Sequence, residues 1–70
     1  MIVEFELTEV ASDETETSYT EEMYFDDDAK ISAVITTAKH FIDTFERVHY
    51  VRFYFDGSFY YVEKDTERVN

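Results

Sequence analysis

Apolar and polar side chains alternate over the first ten residues of the chain. Val3, Phe5 and Leu7 fall on one side of an extended segment, and acidic or hydroxyl side chains fall on the other. A period of two with β-branched and aromatic residues indicates a half-buried strand over Met1–Val10. The polar segment Ala11–Thr17 that follows predicts a loop.

A second strand is predicted over Ser18–Phe25. Tyr19 and Met23 share one face of this strand with its last residue. Glu21 falls on the same face and interrupts the apolar pattern. The interruption indicates either a β-bulge or a position at the rim of the sheet.

The period then changes from two to 3.6 residues, which predicts an amphipathic helix. Asp26, Asp27 and Asp28 are predicted to open it, because an Asp side chain caps backbone N–H groups and acids favour the positive end of the helix dipole. Arg47 near the other end suits the negative end of the dipole. The apolar positions between them span an arc of roughly 120°. They are Ile31, Val34, Ile35, Ala38, Phe41, Ile42 and Phe45.

Two further strands are predicted over Val48–Phe55 and Ser58–Lys64. The dipeptide Asp56-Gly57 between them is typical of a two-residue type I′ turn, which fixes their register. The element order is therefore ββαββ. It predicts an α+β fold, an antiparallel sheet with one amphipathic helix packed on one face. Seventy residues allow one domain over residues 1–70, with a polar, frayed end at 65–70.

The second hairpin is apolar on both of its faces, although one helix covers only one side of a sheet. Aromatic patches are uncommon on monomer surfaces, and aromatic and Arg side chains are enriched at interfaces. One interpretation is a set of tyrosines that tolerate water; the other, which we favour, is a homodimer interface. The predicted interface residues are Tyr50, Arg52, Tyr54, Phe59 and Tyr61.

Charge is distributed very unevenly along the chain. The net charge is −11, and residues 1–30, with eleven acids and one base, carry −10 of it. Solubility requires less, and concentrated like charge destabilises a compact state. The asymmetry therefore indicates a basic protein partner. It disfavours direct binding to nucleic acid or to an anionic membrane.

Carboxylates two residues apart on a strand lie about 6.6 Å apart on one face, a spacing suited to imitating a row of phosphates. Glu4 and Glu6 have this spacing, and Glu14 and Glu16 share it if their loop is extended. The alternative is a solvated sheet face with an acidic loop. The predicted partner-binding residues are Glu4, Glu6, Glu9, Glu14, Glu16, Glu22, Asp26, Asp27 and Asp28.

Catalytic chemistry is not indicated. His40 and Asp43 lie three residues apart on the polar side of the predicted helix, where neither a nucleophile nor a pocket is expected. Asp26–Asp28 lacks the ligand spacing of a calcium loop, and the chain has no cysteine. We therefore expect no catalytic residue, no metal site and no cofactor. Without a membrane-spanning apolar run or a signal peptide, the expected location is the cytoplasm.

In size, acidity and lack of cysteine the chain resembles small acidic bacteriophage proteins that mimic DNA and block host DNA-binding proteins. The resemblance involves the acidic run Glu4 to Asp28 and the aromatic hairpin Tyr50 to Tyr61, and no sequence motif. It implies an inhibitor of a basic host DNA-binding protein, with the nucleoid protein HU favoured, and a homodimer. An acidic structural or protein-interaction domain without DNA mimicry remains the alternative.

Overall fold

The computed structural model describes residues 1–64 of the chain. Four antiparallel strands form one sheet in the order β2-β1-β3-β4, and one helix packs on one of its faces. The elements are β1 Ile2–Val10, β2 Glu16–Tyr24, α1 Ile31–Thr44, β3 Val48–Phe55 and β4 Ser58–Glu63. The predicted ββαββ fold is confirmed. The predicted fraying of 65–70 lies outside the described residues.

The core lies between α1 and the two central strands. Val3, Phe5 and Leu7 of β1 are buried, as their alternation predicts. Phe5 is at the centre, with its ring centroid 5.4 Å from that of Phe41 on α1 and 5.1 Å from that of Phe53 on β3. Full burial of one such side chain stabilises the fold by about 1.5–3 kcal/mol. The core therefore joins elements from both halves of the chain.

The apolar stripe of the helix faces the sheet as predicted. Phe45, the last member of the stripe, lies beyond the helix as its C-cap and is 42% exposed. Arg47 also lies past the end, and no basic residue occupies the last turn, so its predicted interaction with the helix dipole is wrong. The buried residues of the stripe are Val34, Ala38, Phe41 and Ile42.

The predicted capping of the helix by Asp26–Asp28 is also wrong. The N-cap residue is Lys30, which makes no side-chain capping bond, and the first turn contains no acid. The backbone N–H of Ala29 donates to the carbonyl of Asp26 at 2.9 Å, so the triplet forms a turn of its own. This turn leads the chain from the sheet to the helix layer, and helical geometry begins only after it.

The first hairpin is regular. All nine residues of β1 and β2 pair without a shift, so the bulge considered at Glu21 is absent. β2 starts two residues earlier than predicted, which shortens the loop to Ala11–Thr15. Glu21 is exposed because α1 packs on β3 and β4, touches β1 through Phe41 and Phe5, and leaves the edge strand β2 uncovered. The second explanation, a position at the rim of the sheet, is therefore correct.

The irregularity of the sheet lies instead in β3. Thr8 pairs with Tyr50 but Glu9 pairs with Val48, so His49 is an extra residue on β3. This β-bulge brings Val48 onto the same buried face as Val51.

The second hairpin has the predicted register throughout. Asp56 and Gly57 have φ values of +51° and +78°, as a type I′ turn requires.

Candidate protein-binding surface

The face of the sheet opposite α1 is open, and we call it the outer face. Because side chains alternate along a strand, it carries the even-numbered residues of β1 and β2, the even-numbered residues of β3 after the bulge, and the odd-numbered residues of β4. Its β1–β2 part, the acidic half, contains Glu4, Glu6, Glu16 and Glu22. Its β3–β4 part, the aromatic half, contains Tyr50, Tyr54, Phe59 and Tyr61. The two halves of the sequence therefore become two halves of one surface.

Two glutamates oppose each other within the acidic half. Glu4 pairs directly with Glu22 across β1 and β2. Met1 and Phe25 exchange backbone hydrogen bonds of 2.8 and 2.7 Å, and hydrogen-bonded pairs alternate along the ladder. Glu4 and Glu22 are therefore a non-hydrogen-bonded pair, the kind whose side chains are closer together. No cation among residues 1–64 forms an ion pair with either carboxylate.

Arg52 lies at the boundary between the acidic half and the aromatic half. It is the cross-strand partner of Glu6 and forms an ion pair with it. Both side chains are partly exposed, so the pair contributes at most about 1 kcal/mol. The Nε atom of Arg52 is inaccessible to solvent and has no hydrogen-bond partner within residues 1–64. Glu6 is thus the one member of the acidic half whose charge is offset by a described side chain.

Glu9, a predicted partner-binding residue, lies on the helix side of the sheet and not on the outer face. It lies near Tyr19 together with Glu21, an acid outside the predicted set of partner-binding residues. Burial raises the pKa of the Tyr19 hydroxyl, and the negative charges of Glu9 and Glu21 raise it further. The acids of the first hairpin therefore occupy both faces of the sheet near the β2 edge.

The predicted row formed by Glu14 and Glu16 is absent. The loop folds back, with the Ala11 N–H bonded to the Thr15 carbonyl at 2.9 Å, and Glu14 has a φ of +69°. Asp13 stabilises this loop by accepting a 3.0 Å hydrogen bond from the Thr15 N–H. Hydrogen bonding by the Thr15 side chain, and then by its backbone N–H, lowers the pKa of the Asp13 carboxyl. Glu16 is the first residue of β2, whereas Glu14 lies in the loop before it, so the two carboxylates do not share a strand face.

The triplet Asp26–Asp28 is exposed and follows β2 at the end of the hairpin that carries the Glu4–Glu22 pair. One member, Asp27, is 3.0 Å from the amino-terminal ammonium group and is 96% exposed. The triplet extends the acidic half at that end, whereas Glu14 lies at the other end. The nine predicted acids therefore surround the first hairpin and do not form a single row.

The four rings of the aromatic half lie on the outer face as two contacting pairs. The rings of Tyr54 and Phe59 meet edge to face at 5.2 Å, and those of Tyr50 and Tyr61 stack at 5.7 Å. Tyr54 is 70% exposed. Burial raises the pKa of the Tyr61 hydroxyl, and the charge of neighbouring Glu63 adds to the effect.

A shallow groove of about 600 Å³ runs between the two halves. Ile2, Tyr54 and Phe59 supply apolar walls, and Glu4 and Glu6 supply carboxylates. Lys and Arg side chains combine an apolar stem with a cationic head, and their heads are attracted to aromatic faces. The groove therefore has the chemistry to bind a basic side chain of another protein.

The fold and this surface define the class of protein: a small acidic α+β domain whose sheet has one open, two-part face. Within residues 1–64, no three His, Cys, Asp or Glu side chains are grouped so as to hold a metal ion. No helix in that part of the chain is both long and apolar enough to cross a membrane. Comparison with protein-family models, curated proteins and solved structures gives no match.

Proposed function

We propose that this protein is a DNA-mimicking inhibitor. Its acidic half occupies the basic DNA-binding groove of a host DNA-binding protein and displaces DNA in the host cytoplasm. The nucleoid protein HU is the favoured target because of the resemblance to acidic bacteriophage inhibitors. The observation that carries the proposal is the direct opposition of Glu4 and Glu22 on an open sheet face.

The opposed pair is costly to the fold. Favourable cross-strand pairs contribute about 0.2–1 kcal/mol, and like charges directly opposite each other destabilise a sheet. A Lys or Thr at either position gives a more stable hairpin, since both sites are exposed and neither contributes to the core. Lys and Arg side chains of a partner remove the repulsion on binding. The arrangement therefore favours the bound state over the isolated protein.

The spacing of the carboxylates suits a groove that binds a phosphate backbone. Glu4 and Glu6 are about 6.6 Å apart along β1, and Glu22 is about 5 Å from Glu4 between Cβ atoms. Phosphates along one DNA strand advance about 3.4 Å along the helix axis and lie farther apart through space. A basic groove that attracts one array attracts the other. Such binding weakens steeply as salt is added.

We further propose that the protein is a homodimer joined through the aromatic half. Arg52 and Glu63 lie beside these rings, and the acids of β1 and β2 border the rings only along the boundary between the two halves. A second copy that docks over the aromatic half away from this boundary covers apolar surface and keeps the two acidic halves apart. Such a dimer carries two acidic halves, one from each chain.

A mobility-shift assay tests the inhibitor proposal. HU bound to labelled DNA is titrated at low salt with wild-type protein and with the double variant Glu4→Gln/Glu22→Gln. The wild type is expected to release the DNA, and the variant to require a higher concentration. Asp43→Asn/Glu46→Gln removes the same charge from exposed sites outside the sheet and is expected to behave like the wild type.

The proposal is wrong if neither HU nor any other basic DNA-binding protein is displaced from DNA by the wild type at low salt. If both double variants lose potency equally, net charge and not the acidic half is responsible. The alternative function is protein interaction without mimicry. The exposure of Tyr24, at 80%, and of Tyr54 favours it, because apolar contacts resist salt. Partner binding that survives high salt supports this alternative.

A further inference from the structure

The strand β2 is exposed to an unusual degree. It lies at one edge of the sheet and has β1 as its single neighbouring strand among the described residues. Eight of its nine residues are exposed, and Tyr19 is half-buried. Neither the helix nor a described loop covers its faces. A further strand can therefore approach this edge without a steric barrier.

The unpaired backbone groups of β2 can be assigned to particular residues. The hydrogen bonds between Met1 and Phe25 and between Ala11 and Thr15 fix the two ends of the ladder. Because bonded pairs alternate, the odd-numbered residues of β2 bond to β1. The N–H and C=O groups of the even-numbered residues therefore point away from the sheet. The central ones belong to Ser18, Thr20 and Glu22.

Edge strands in native proteins are commonly protected by being short or by containing proline. β2 is nine residues long and contains no proline. Its acids instead flank the edge on both faces, with Glu16 and Glu22 on the outer face and Glu21 on the helix side. A second copy of β2 brings the same charges with it and is repelled. A strand with Lys or Arg at alternate positions is attracted.

We propose that the edge of β2 is a docking site for an extended Lys- or Arg-rich segment of the partner protein, which pairs with it as a fifth strand. Main-chain hydrogen bonds provide affinity in this mode of recognition, and alternate side chains provide specificity. The inference rests on the proposed function, which supplies a basic partner. It adds main-chain hydrogen bonds between β2 and that partner, which competition with DNA through charge alone does not require.

Amide hydrogen exchange followed by NMR tests the pairing directly. The probe is a synthetic peptide of alternating Lys and Val, of about ten residues to match the length of β2. On binding, the amides of Ser18, Thr20 and Glu22 are expected to become protected from exchange. The amides of Thr17 and Tyr19 already bond to β1 and are expected to change little.

The matched control is the same peptide with every second backbone nitrogen methylated. It has the same charge but cannot complete the ladder, so it is expected to bind about tenfold or more weakly, since several hydrogen bonds are lost. If both peptides bind equally and the amides of Ser18, Thr20 and Glu22 stay unprotected, the proposed pairing is wrong.

The variant Thr20→Pro provides the complementary test. Its missing N–H points away from β1, so the first hairpin is retained, as proline is tolerated on an edge strand with the N–H side outward. The variant keeps every acid but is expected to lose binding of the unmodified peptide. Its fold is checked by the amide spectrum of β1 and β3. If it unfolds, the methylated peptide decides the question on the wild-type protein.

The two proposals fail in distinguishable ways. In the first case, the wild type and a folded Thr20→Pro variant displace DNA from HU equally well, and the edge amides remain unprotected with HU bound. The edge of β2 is then not the docking site, and the inhibitor proposal stands. If neither HU nor any other basic DNA-binding protein is displaced but the Lys–Val peptide protects the edge amides, the inhibitor proposal is wrong and the edge serves a different basic partner.

Discussion

Individual side chains of the first hairpin show how far alternation can be interpreted. The relative faces of Val3, Phe5 and Glu4 follow from a period of two and are confirmed. The exposure of Glu9 and Glu21 could not be predicted from alternation alone. Alternation gives the face of a residue relative to its neighbours, but whether that face is covered depends on where the helix lies. An edge strand that the helix does not cover tolerates acids on both of its faces.

Glu22→Gln is expected to stabilise the isolated protein, because it removes the repulsion with Glu4. The gain in the free energy of unfolding is about 0.2–1 kcal/mol, the range of cross-strand pair effects. Urea denaturation at low salt measures it, and added salt should reduce it. Asp43→Asn removes one charge from α1, four residues from Lys39, and is expected to give no gain. An equal gain from both variants means that total charge is responsible.

Ionisation of tyrosines is expected to destabilise the fold in alkali. The pKa values of the Tyr61 and Tyr19 hydroxyls are raised above their ordinary value, chiefly by burial. Because the pKa of each hydroxyl is higher in the folded than in the unfolded state, the protonated hydroxyl contributes to the free energy of unfolding. This contribution is complete below about pH 10 and is lost as the pH rises through the folded-state pKa. Denaturant midpoints measured from about pH 8 to about pH 11.5 should therefore fall at the alkaline end.

The control for this pH dependence is Tyr61→Phe, which removes one titrating group and keeps the ring. The variant should lose less stability in alkali than the wild type does. An unchanged alkaline profile in both Tyr61→Phe and Tyr19→Phe contradicts the assignment to these hydroxyls.

Among the secondary-structure elements, the second hairpin was predictable and the start of the helix was not. The turn Asp56-Gly57 needs two positive φ values, and these residue types adopt them locally. The start of α1 depends on how the chain passes from the β2 edge to the helix layer. That path is a property of the whole fold, so the acids Asp26–Asp28 gave a misleading local signal.

The uncapped helix start offers an element-scale prediction. Lys30 is the N-cap and has an extended conformation, with φ −93° and ψ 156°, but its side chain makes no capping bond. Lys30→Ser supplies a hydroxyl acceptor and is expected to stabilise the protein by about 1 kcal/mol. Thermal or urea unfolding measures the change. Lys39→Ser removes the same charge within the helix and should destabilise slightly, since Ser is the poorer helix former.

For the whole molecule, the sheet order β2-β1-β3-β4 was not predictable from the sequence. Both hairpins were predictable, but the sequence does not indicate which strand of each hairpin lies at the centre of the sheet. The buried contact between Phe5 and Phe53 joins β1 to β3 across most of the chain. Placing β1 in the middle means that the acidic segment is part of the sheet and not a detachable tail. Residues 1–30 alone lack β3 and α1 and are not expected to retain the acidic half.

The proposed homodimer is tested by sedimentation at roughly tens of micromolar, where a dimer of micromolar affinity is populated. The wild type is expected to sediment as a dimer and Tyr54→Asp as a monomer. Tyr24→Asp introduces the same charge at a tyrosine of β2, outside the aromatic half, and should leave the dimer intact. A monomeric wild type rules out the interface. Equal dissociation by both variants places the contact elsewhere on the outer face.

The core residues Val3, Phe5 and Leu7 of β1 and its outward-facing acids Glu4 and Glu6 are subject to two different kinds of selection. Mutations at Glu4 or Glu6 alter charge without changing the packing of Val3, Phe5 or Leu7. Lineages of this protein can therefore change the charge pattern while the core sequence is conserved. Under the proposed function, a change in the groove of the target protein is matched by a few codon changes at these acidic positions. Related sequences should accordingly conserve the apolar positions of β1 and vary at the acidic ones.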